Sequence, residues 1–340
     1  MDKGQSHEYD TSAVSAHIPF GMNQSLFRLQ ELLDGLPTAY TALISRIVTF
    51  KPDLANVYIQ GARSLESAGH KDLVFCKDES PNTVQSTIAT RAQVIVARPE
   101  LLELLPDEFA RERTLILTSR PRLILVALLQ AFEMAPGITT QRQSIHSDAR
   151  IAPSAILGQG VVIGADVEIH ERCIIGPNTV IDHAVLGVNT RIGANCSIGG
   201  DGFGFEIDES SGGVLKFPHF GRVLIGQNVE IFSNTCIARG SLRDTVVGNN
   251  VKIDNLVHIA HNVEIGDDTF VIANAMLAGS TKIGTRAWIG PSTSILNGIT
   301  VDDLSMTGVG SVVTKSCGKN EVVAGVPAKR LRDRFPKPSL

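Results

Sequence analysis

An aliphatic residue recurs at every sixth position through much of the second half of this 340-residue sequence. The longest unbroken phase runs from Val247 to Val301, and shorter runs with the same spacing begin at Ile145, Leu186 and Ile225. Helices repeat at about 3.6 residues and strands at about 2, so neither element explains a period of six. A hexapeptide parallel β-helix does, because six residues form one short strand and one turn, and three strands complete a coil of about 18 residues.

The period also predicts where side chains lie. The aliphatic residue of each hexad is expected to point into the coil, and coils are expected to stack at the spacing of neighbouring strands, about 4.8 Å. Residues one coil apart, about 18 positions, should therefore lie one above the other wherever the phase is unbroken.

Residues 23–140 have a different pattern and predict a small α/β domain. Buried strands are expected at 92–97 and 114–118, and a helix that opens with proline is expected at 121–135. The Pro-Gly and polar residues of 136–143 mark the boundary with the repeat.

Three further ranges complete the predicted organisation. Residues 1–22 are expected to form a flexible tail, and residues 144–315 the β-helix. The phase breaks over residues 199–222, which predicts an insertion between coils. Residues 316–340 are basic and rich in proline, and predict a tail or a short helix.

Composition excludes several classes of function. The formal charge is −4 with both signs interspersed, which gives no electrostatic reason to bind nucleic acid. The cysteines are five in number, far apart, and without a CxxC pair or zinc-ligand spacing, so we expect no metal and a reduced, cytoplasmic protein. Neither a secretory signal nor an apolar run long enough to span a membrane is found.

Two histidines lie close together in the segment "NLVHIAHNVEIG", residues 255–266. Neither His258 nor His261 occupies the inward position of its hexad. One coil after His261 comes Gly279, so an imidazole is predicted to lie beside a backbone N–H. Acyl transfer uses such a pair, because the imidazole accepts a proton from the nucleophile and the N–H stabilises the oxyanion. The seven other histidines, including His170 and His183, are interpreted as ordinary polar surface residues.

Four stretches resemble the UDP-3-O-(3-hydroxyacyl)glucosamine N-acyltransferase family of lipid A biosynthesis, in order as well as in composition. They are "SLESAGHKDLVF" (64–75), "GGDGFGFE" (199–206), "GRVLIGQNVEI" (221–231) and "HIAHNVEIGDD" (258–268). The resemblance implies a left-handed β-helix and a homotrimer with active sites between neighbouring subunits. It also implies that His261 is the general base and that Gly279 supplies an oxyanion N–H.

The same resemblance implies the substrates. An acyl carrier protein thioester would donate a 3-hydroxyacyl group to the amine of UDP-3-O-acylglucosamine, with no permanently bound cofactor. Asp254 and Asn255 match a family segment that orients the base or the sugar, although they also suit a plain turn. Phe75 matches the aromatic residue that stacks on uracil, and is equally suited to a strand core. His258 is expected to pack near the subunit interface.

Three departures from the family pattern keep alternatives open. The segment after Phe75 lacks the family's Asn-Pro-Lys-Tyr element, and Ile299 replaces a family histidine. The ending "AGVPAKRLR" resembles acyltransferases that use coenzyme A. The first alternative is therefore a coenzyme A-dependent N-acyltransferase that acts on another nucleotide-linked amino sugar. The second, of another class, is a non-catalytic β-helix scaffold.

Overall fold

A computed structural model describes residues 26–49, 54–133, 144–208 and 212–335. The predicted tail at 1–22 and the predicted boundary at 136–143 lie outside the described residues.

The N-terminal domain is a five-stranded sheet with helices on both faces. Leu73 and Val94 face a cluster that includes α6, whereas Val74 and Ile95 face the opposite cluster, as alternation along a strand requires. The sheet order is β2-β7-β6-β5-β4, with only β2 antiparallel, and β1 pairs with β3. The strands are β1 Phe27–Arg28, β2 Ile44–Thr49, β3 Tyr58–Ile59, β4 Gly61–Ala62, β5 Asp72–Phe75, β6 Val94–Ala97 and β7 Thr114–Thr118. The helices are α1 Leu29–Asp34, α2 Thr38–Thr41, α3 Pro81–Ala89, α4 Pro99–Leu102, α5 Asp107–Arg111 and α6 Pro121–Glu133, with a 3₁₀ turn at Leu54–Asn56.

The repeat forms a parallel β-helix. Its strands belong to three parallel sheets, and strands that follow one another along the chain fall in different sheets. The strands before the insertion are β8 Arg150–Ile151, β9 Ile156–Leu157, β10 Val162–Ile163, β11 Val167–Ile169, β12 Ile174–Ile175, β13 Val180–Ile181, β14 Ala184–Leu186, β15 Arg191–Ile192 and β16 Ser197–Gly200. The insertion is a hairpin of β17 Phe205–Asp208 and β18 Gly213–Lys216. The strands after it are β19 Val223–Ile225, β20 Glu230–Ile231, β21 Cys236–Ala238, β22 Thr245–Val247, β23 Lys252–Ile253, β24 His258–Ile259, β25 Glu264–Ile265, β26 Phe270–Val271, β27 Met276–Leu277, β28 Lys282–Ile283, β29 Trp288–Ile289, β30 Ser294–Ile295, β31 Thr300–Val301, β32 Met306–Thr307 and β33 Val312–Val313.

The hexad phase corresponds to the core of the β-helix. The phased residues from Val247 to Val301 are all at most 3% exposed and belong to one continuous cluster. Turns between the strands need a residue with positive φ, and asparagine tolerates that conformation. Asn250, Asn262 and Asn274 occupy such positions with φ near +60°. The sequence therefore specifies both the inward strand positions and the corners.

The insertion joins the two domains. Phe217 and Phe220 of its returning segment are buried in the same cluster as Phe132 of α6, and the rings of Phe132 and Phe220 meet edge to face at 5.8 Å. Arg120 pairs with Asp208, which is 1% exposed, at 3.4 Å. The hairpin is thus fixed between the α/β domain and the coil that carries β21.

The C-terminal segment differs from the expected tail or short helix in its described part, residues 316–335. β34 Glu321–Ala324 adds a parallel strand beside β32, and β35 Lys329–Asp333 turns back antiparallel to it. Val322 and Val323 are buried at this end of the β-helix. The segment adopts strands because it pairs with the open edge that β32 would otherwise present.

Candidate active site

His261 and Gly279 lie one coil apart at the same corner of the β-helix. His258 pairs with Met276 and Ile259 with Leu277, which sets His261 opposite Gly279. A Cβ added to Gly279 would stand 2.7 Å from both Nε2 and Cε1 of the imidazole. The Nε2 edge of the ring therefore lies directly against Gly279, in the space that any side chain there would occupy.

The next residue, Asn262, orients the imidazole. Nδ1 of His261 lies 2.9 Å from Oδ1 of Asn262. That oxygen also accepts hydrogen bonds from the hydroxyl and the amide of Ser241, while Nδ2 donates to the carbonyl of Arg243 at 2.8 Å. Because Oδ1 can only accept, Nδ1 of a neutral ring must carry the hydrogen. The lone pair is then on Nε2, which suits a general base.

The pair remains accessible for chemistry. Both His261 and Gly279 are partly exposed. No described residue accepts a hydrogen bond from the amide N–H of Gly279. A titratable ring and an unused N–H donor thus share one corner, the arrangement that stabilises a tetrahedral oxyanion.

A buried ion pair lies one coil before the base. Arg239 stands opposite His261 in the register and is 5% exposed. Its Nε donates to Asp201 at 2.8 Å, and Lys216 also pairs with Asp201. Burial acts to raise the pKa of Asp201, but Arg239 and Lys216 outweigh it and hold that pKa below its usual range. A carboxylate that stays ionised therefore fixes Arg239 beside the site.

His219 is not a surface residue, so the interpretation given to it from sequence is wrong. It is 1% exposed, and its ring centroid lies 5.6 Å from that of His261. Burial lowers its pKa to about 4. The insertion buries this ring because its neighbours Phe217 and Phe220 pack into the core shared with α6.

Asp254 and Asn255 lie at the other end of β24 from His261, so one protomer does not bring them to the base. Oδ1 of Asp254 accepts 2.8 Å hydrogen bonds from both the amide and the side chain of Asn255, and Oδ2 accepts from the amide of Ala273. The side chain of His258 is exposed at the surface. Desolvation by the atoms around its ring nevertheless lowers its pKa.

Phe75 and Ile299 both pack against cores. Phe75 is the last residue of β5, is partly exposed, and contacts the cluster that the α/β domain shares with the insertion. Ile299 is partly buried against the core of the β-helix.

The described residues contain neither a metal-binding cluster nor a helix that could cross a membrane. No group of three or more His, Cys, Asp or Glu side chains there could hold a metal ion. None of the described helices has the length and apolar character that a membrane crossing requires. The five cysteines carry free thiols.

Sequence reasoning missed Asn262, Arg239 and His219. Asn262 stands in the quoted "IAHN" motif, and its place at a positive-φ corner was the available signal. Arg239 is one coil from His261, but four extra residues before β22 interrupt the count. His219 lies within residues 199–222, where the six-residue phase is broken. The 18-residue spacing therefore does not predict which residues lie beside it.

Comparison with known proteins identifies the repeat and the family. A family model described as bacterial transferase hexapeptide (six repeats) matches residues 144–183 and 244–279. UDP-3-O-acylglucosamine N-acyltransferase of Bordetella pertussis is 31% identical over 310 residues, which cover 81% of this chain and 83% of that protein. The enzyme of the same name from Cupriavidus taiwanensis is 33% identical, covering 79% and 80%. That of Bradyrhizobium diazoefficiens is 41% identical over 264 residues, covering 70% and 72%.

A β-helix of hexapeptide repeats with a histidine and a glycine N–H at one corner defines a hexapeptide-repeat acyltransferase. The chain belongs to the UDP-3-O-acylglucosamine N-acyltransferase family, and is an enzyme that transfers acyl groups to nitrogen.

Proposed function

We propose that this enzyme moves a 3-hydroxyacyl group from an acyl carrier protein thioester to the amine of UDP-3-O-acylglucosamine, a step of lipid A biosynthesis. The observation that carries the proposal is the register of His261 and Gly279, with Nε2 against the glycine and Nδ1 held by Asn262. The names of the related enzymes supply the acceptor.

The proposed reaction assigns one role to each group at this corner. The neutral amine attacks the thioester carbonyl, a C–N bond forms, and Nε2 of His261 takes the proton that the nitrogen loses. The N–H of Gly279 stabilises the negative oxygen of the tetrahedral intermediate. Collapse of that intermediate breaks the C–S bond, and the imidazolium returns the proton to the leaving sulfur. An amide and a free thiol result.

Replacement of His261 by alanine tests the proposal against the scaffold alternative. A general base contributes about 10²- to 10⁴-fold to the rate, so kcat should fall by that factor while the circular dichroism spectrum and Tm stay unchanged. Undiminished turnover would remove His261 from the mechanism. A wild-type protein that acylates no amino sugar would instead favour the scaffold.

The donor and acceptor are decided by a matrix of assays. The purified enzyme is offered 3-hydroxyacyl carrier protein or the corresponding coenzyme A thioester, each with UDP-3-O-acylglucosamine or another nucleotide-linked amino sugar. We expect turnover with 3-hydroxyacyl carrier protein as donor and UDP-3-O-acylglucosamine as acceptor. Turnover only with the coenzyme A thioester and another sugar would establish the alternative, a coenzyme A-dependent N-acyltransferase, which the segment around Val326 and Ala328 resembles.

We also propose that the partly exposed ring of Phe75 stacks on the nucleobase of the acceptor, since one aromatic face can bind uracil while the other packs on the core. Phe75→Ala should then raise KM for the nucleotide sugar more than it lowers kcat. Asp254 and Asn255 are proposed to bind the sugar whose amine loses its proton to a neighbouring subunit's His261.

A homotrimer in the cytoplasm completes the proposal. Leu256, in the turn before β24, has φ +61° and is 59% exposed, while Phe232 in the equivalent turn one coil earlier is 47% exposed. A leucine in the left-handed region costs about 1–2 kcal/mol, which burial against another subunit would offset. Free thiols, including Cys76 whose pKa burial raises to about 11, are compatible with a reducing compartment.

A further inference from the structure

The insertion brings a second imidazole to the proposed active site. His219 follows the β17–β18 hairpin, and its ring meets that of His261 at 69° with 5.6 Å between centroids. Phe217 lies on another side of the ring at 6.4 Å. A phenylalanine would fill the same volume beside Phe217, so packing alone does not explain the choice of histidine.

Both ring nitrogens of His219 are buried, and neither has a hydrogen-bond partner among the described residues. Unpaired buried polar atoms cost free energy, and in native proteins each one calls for a reason. The ring is uncharged at neutral pH, because burial lowers its pKa to about 4. Among nearby charges, Asp201 acts in the opposite sense, whereas His261 and Arg239 add to the lowering, and the carbonyl of Phe217 acts weakly to raise the pKa.

Nε2 of His219 and the Cβ–Cδ2 side of His261 border the same space, at Gly202. A Cβ added to Gly202 would stand 2.8 Å from this Nε2, 2.8 Å from Cβ of His261 and 3.0 Å from its Cδ2. A Cβ at Gly204 would stand 3.1 Å from Cε1 of His219. The segment 201–204 therefore covers both rings, and its two glycines leave room that side chains would fill.

We propose that His219 determines specificity by hydrogen-bonding, through Nε2, a hydroxyl group of the substrate bound beside His261. The inference rests on the acyl transfer proposed above. The 3-hydroxyl of the transferred acyl group suits this contact, because it lies two carbons from the carbonyl that His261 and Gly279 would hold. A hydroxyl of the acceptor sugar offers the same chemistry. Segment 201–204 has to shift for the contact to form, which its glycines permit.

The test compares 3-hydroxyacyl donors with donors of equal chain length that lack the hydroxyl. Wild type should prefer the hydroxyacyl donor in kcat/KM, and His219→Phe should reduce that preference at least about tenfold. His219→Gln keeps a polar atom near Nε2 and should retain more of the preference. If the larger ring is not accommodated, His219→Leu replaces it. Tm should not fall in His219→Phe, because the variant removes unpaired polar atoms.

The outcomes separate the two proposals. If His219→Phe instead raises KM for the acceptor sugar and lowers kcat/KM equally for both donors, the hydroxyl belongs to the sugar and the inference holds. An unchanged donor preference with an unchanged KM for the sugar overturns it, as does a loss of activity explained by a lower Tm. Absence of turnover in wild type with any donor would count against the proposed function, not against the role of His219.

Discussion

The proposed catalytic pair, His261 and Gly279, requires a residue without a side chain at position 279. A methyl group at that position would lie 2.7 Å from Nε2 of His261, closer than real Cβ contacts allow, and the ring is tethered by Asn262. Gly279→Ala should therefore displace the imidazole and lower kcat at least about 100-fold in steady-state assays. The matched control is Gly318→Ala, whose Cβ would meet only Glu321 at 3.6 Å, and which should keep full activity. Equal activity of the two variants would contradict the geometry.

The Asn262 contact predicts a shift in pH dependence. Asn262→Asp keeps an oxygen at Nδ1 but adds a negative charge, which favours the protonated imidazole and so reduces the supply of free base. The ascending limb of kcat/KM against pH should move to higher pH by up to about one unit. Asn250→Asp, at the equivalent turn position of the third corner, which carries neither His261 nor Asn255, should leave the limb in place. If the ascending limb does not move in Asn262→Asp, the side chain at position 262 does not influence the protonation of His261.

His219 should make stability depend on pH. Its folded pKa of about 4 lies below the value near 6.5 of an unfolded chain, so the unfolded state binds a proton first as the pH falls. The contribution of His219 to the free energy of unfolding is constant above pH 6.5. It is lost progressively as the pH falls to 4, where the protein is destabilised by about 3 kcal/mol. Thermal unfolding at pH 7 and pH 4.5 should show a smaller difference in Tm for His219→Phe than for wild type. Identical differences would mean that the ring titrates normally.

The sequence predicted part of this site for a definite physical reason. Where the 18-residue coil is intact, position along the chain gives position in space, and His261 was matched with Gly279 on that basis alone. The quoted motif contains Asn262, but the spacing of the repeat does not show that its side chain turns toward Nδ1 of His261. His219 was beyond reach because its place depends on contacts with α6, far away in the sequence.

Among elements, the coils were predictable and the additions to them were not. Every coil repeats one local pattern, an inward aliphatic residue and a turn, so local sequence specifies it. The hairpin β17–β18 and the pair β34–β35 take their register from surfaces that other segments supply. For that reason residues 316–335 were wrongly expected to form a tail or a short helix.

The hairpin's attachment can be tested through its buried ion pair. Arg120→Ala leaves the carboxylate of Asp208, 1% exposed, without its guanidinium partner, and should destabilise the protein by about 3 kcal/mol. Arg122→Ala breaks a neighbouring pair with Glu206, in which Arg122 is 52% exposed, and should cost about 1 kcal/mol or less. Chemical denaturation of both variants measures the difference. Equal losses would show that Asp208 does not depend on Arg120.

At the scale of the molecule, the α/β domain and the active site form one structure. The cluster that contains Phe75 also contains Phe220, and the segment between Phe217 and Phe220 carries His219 to the base. A nucleotide sugar bound at Phe75 would thus contact the same cluster that holds the segment between Phe217 and Phe220 in place.

The proposed trimer would bring together residues that a single protomer keeps apart. His261 and Asn255 lie at opposite ends of β24, hence at different corners, and one chain does not join them. In a cyclic trimer each interface can pair one corner of a subunit with the other corner of its neighbour. We expect size-exclusion chromatography with light scattering to give about three times the chain mass of 36.4 kDa.

Mixed trimers test whether the site is shared. His261→Ala and Asn255→Ala subunits, each expected to be nearly inactive alone, are produced together with different tags and purified through both. In any mixed trimer, one of the three interfaces joins an intact His261 to an intact Asn255. Activity should therefore recover to about one third of wild type. Mixing the two variants after separate assembly is the control and should recover nothing until subunits exchange. Inactive mixed trimers would mean that both residues act within one protomer, and full activity of Asn255→Ala alone would remove that residue from the site.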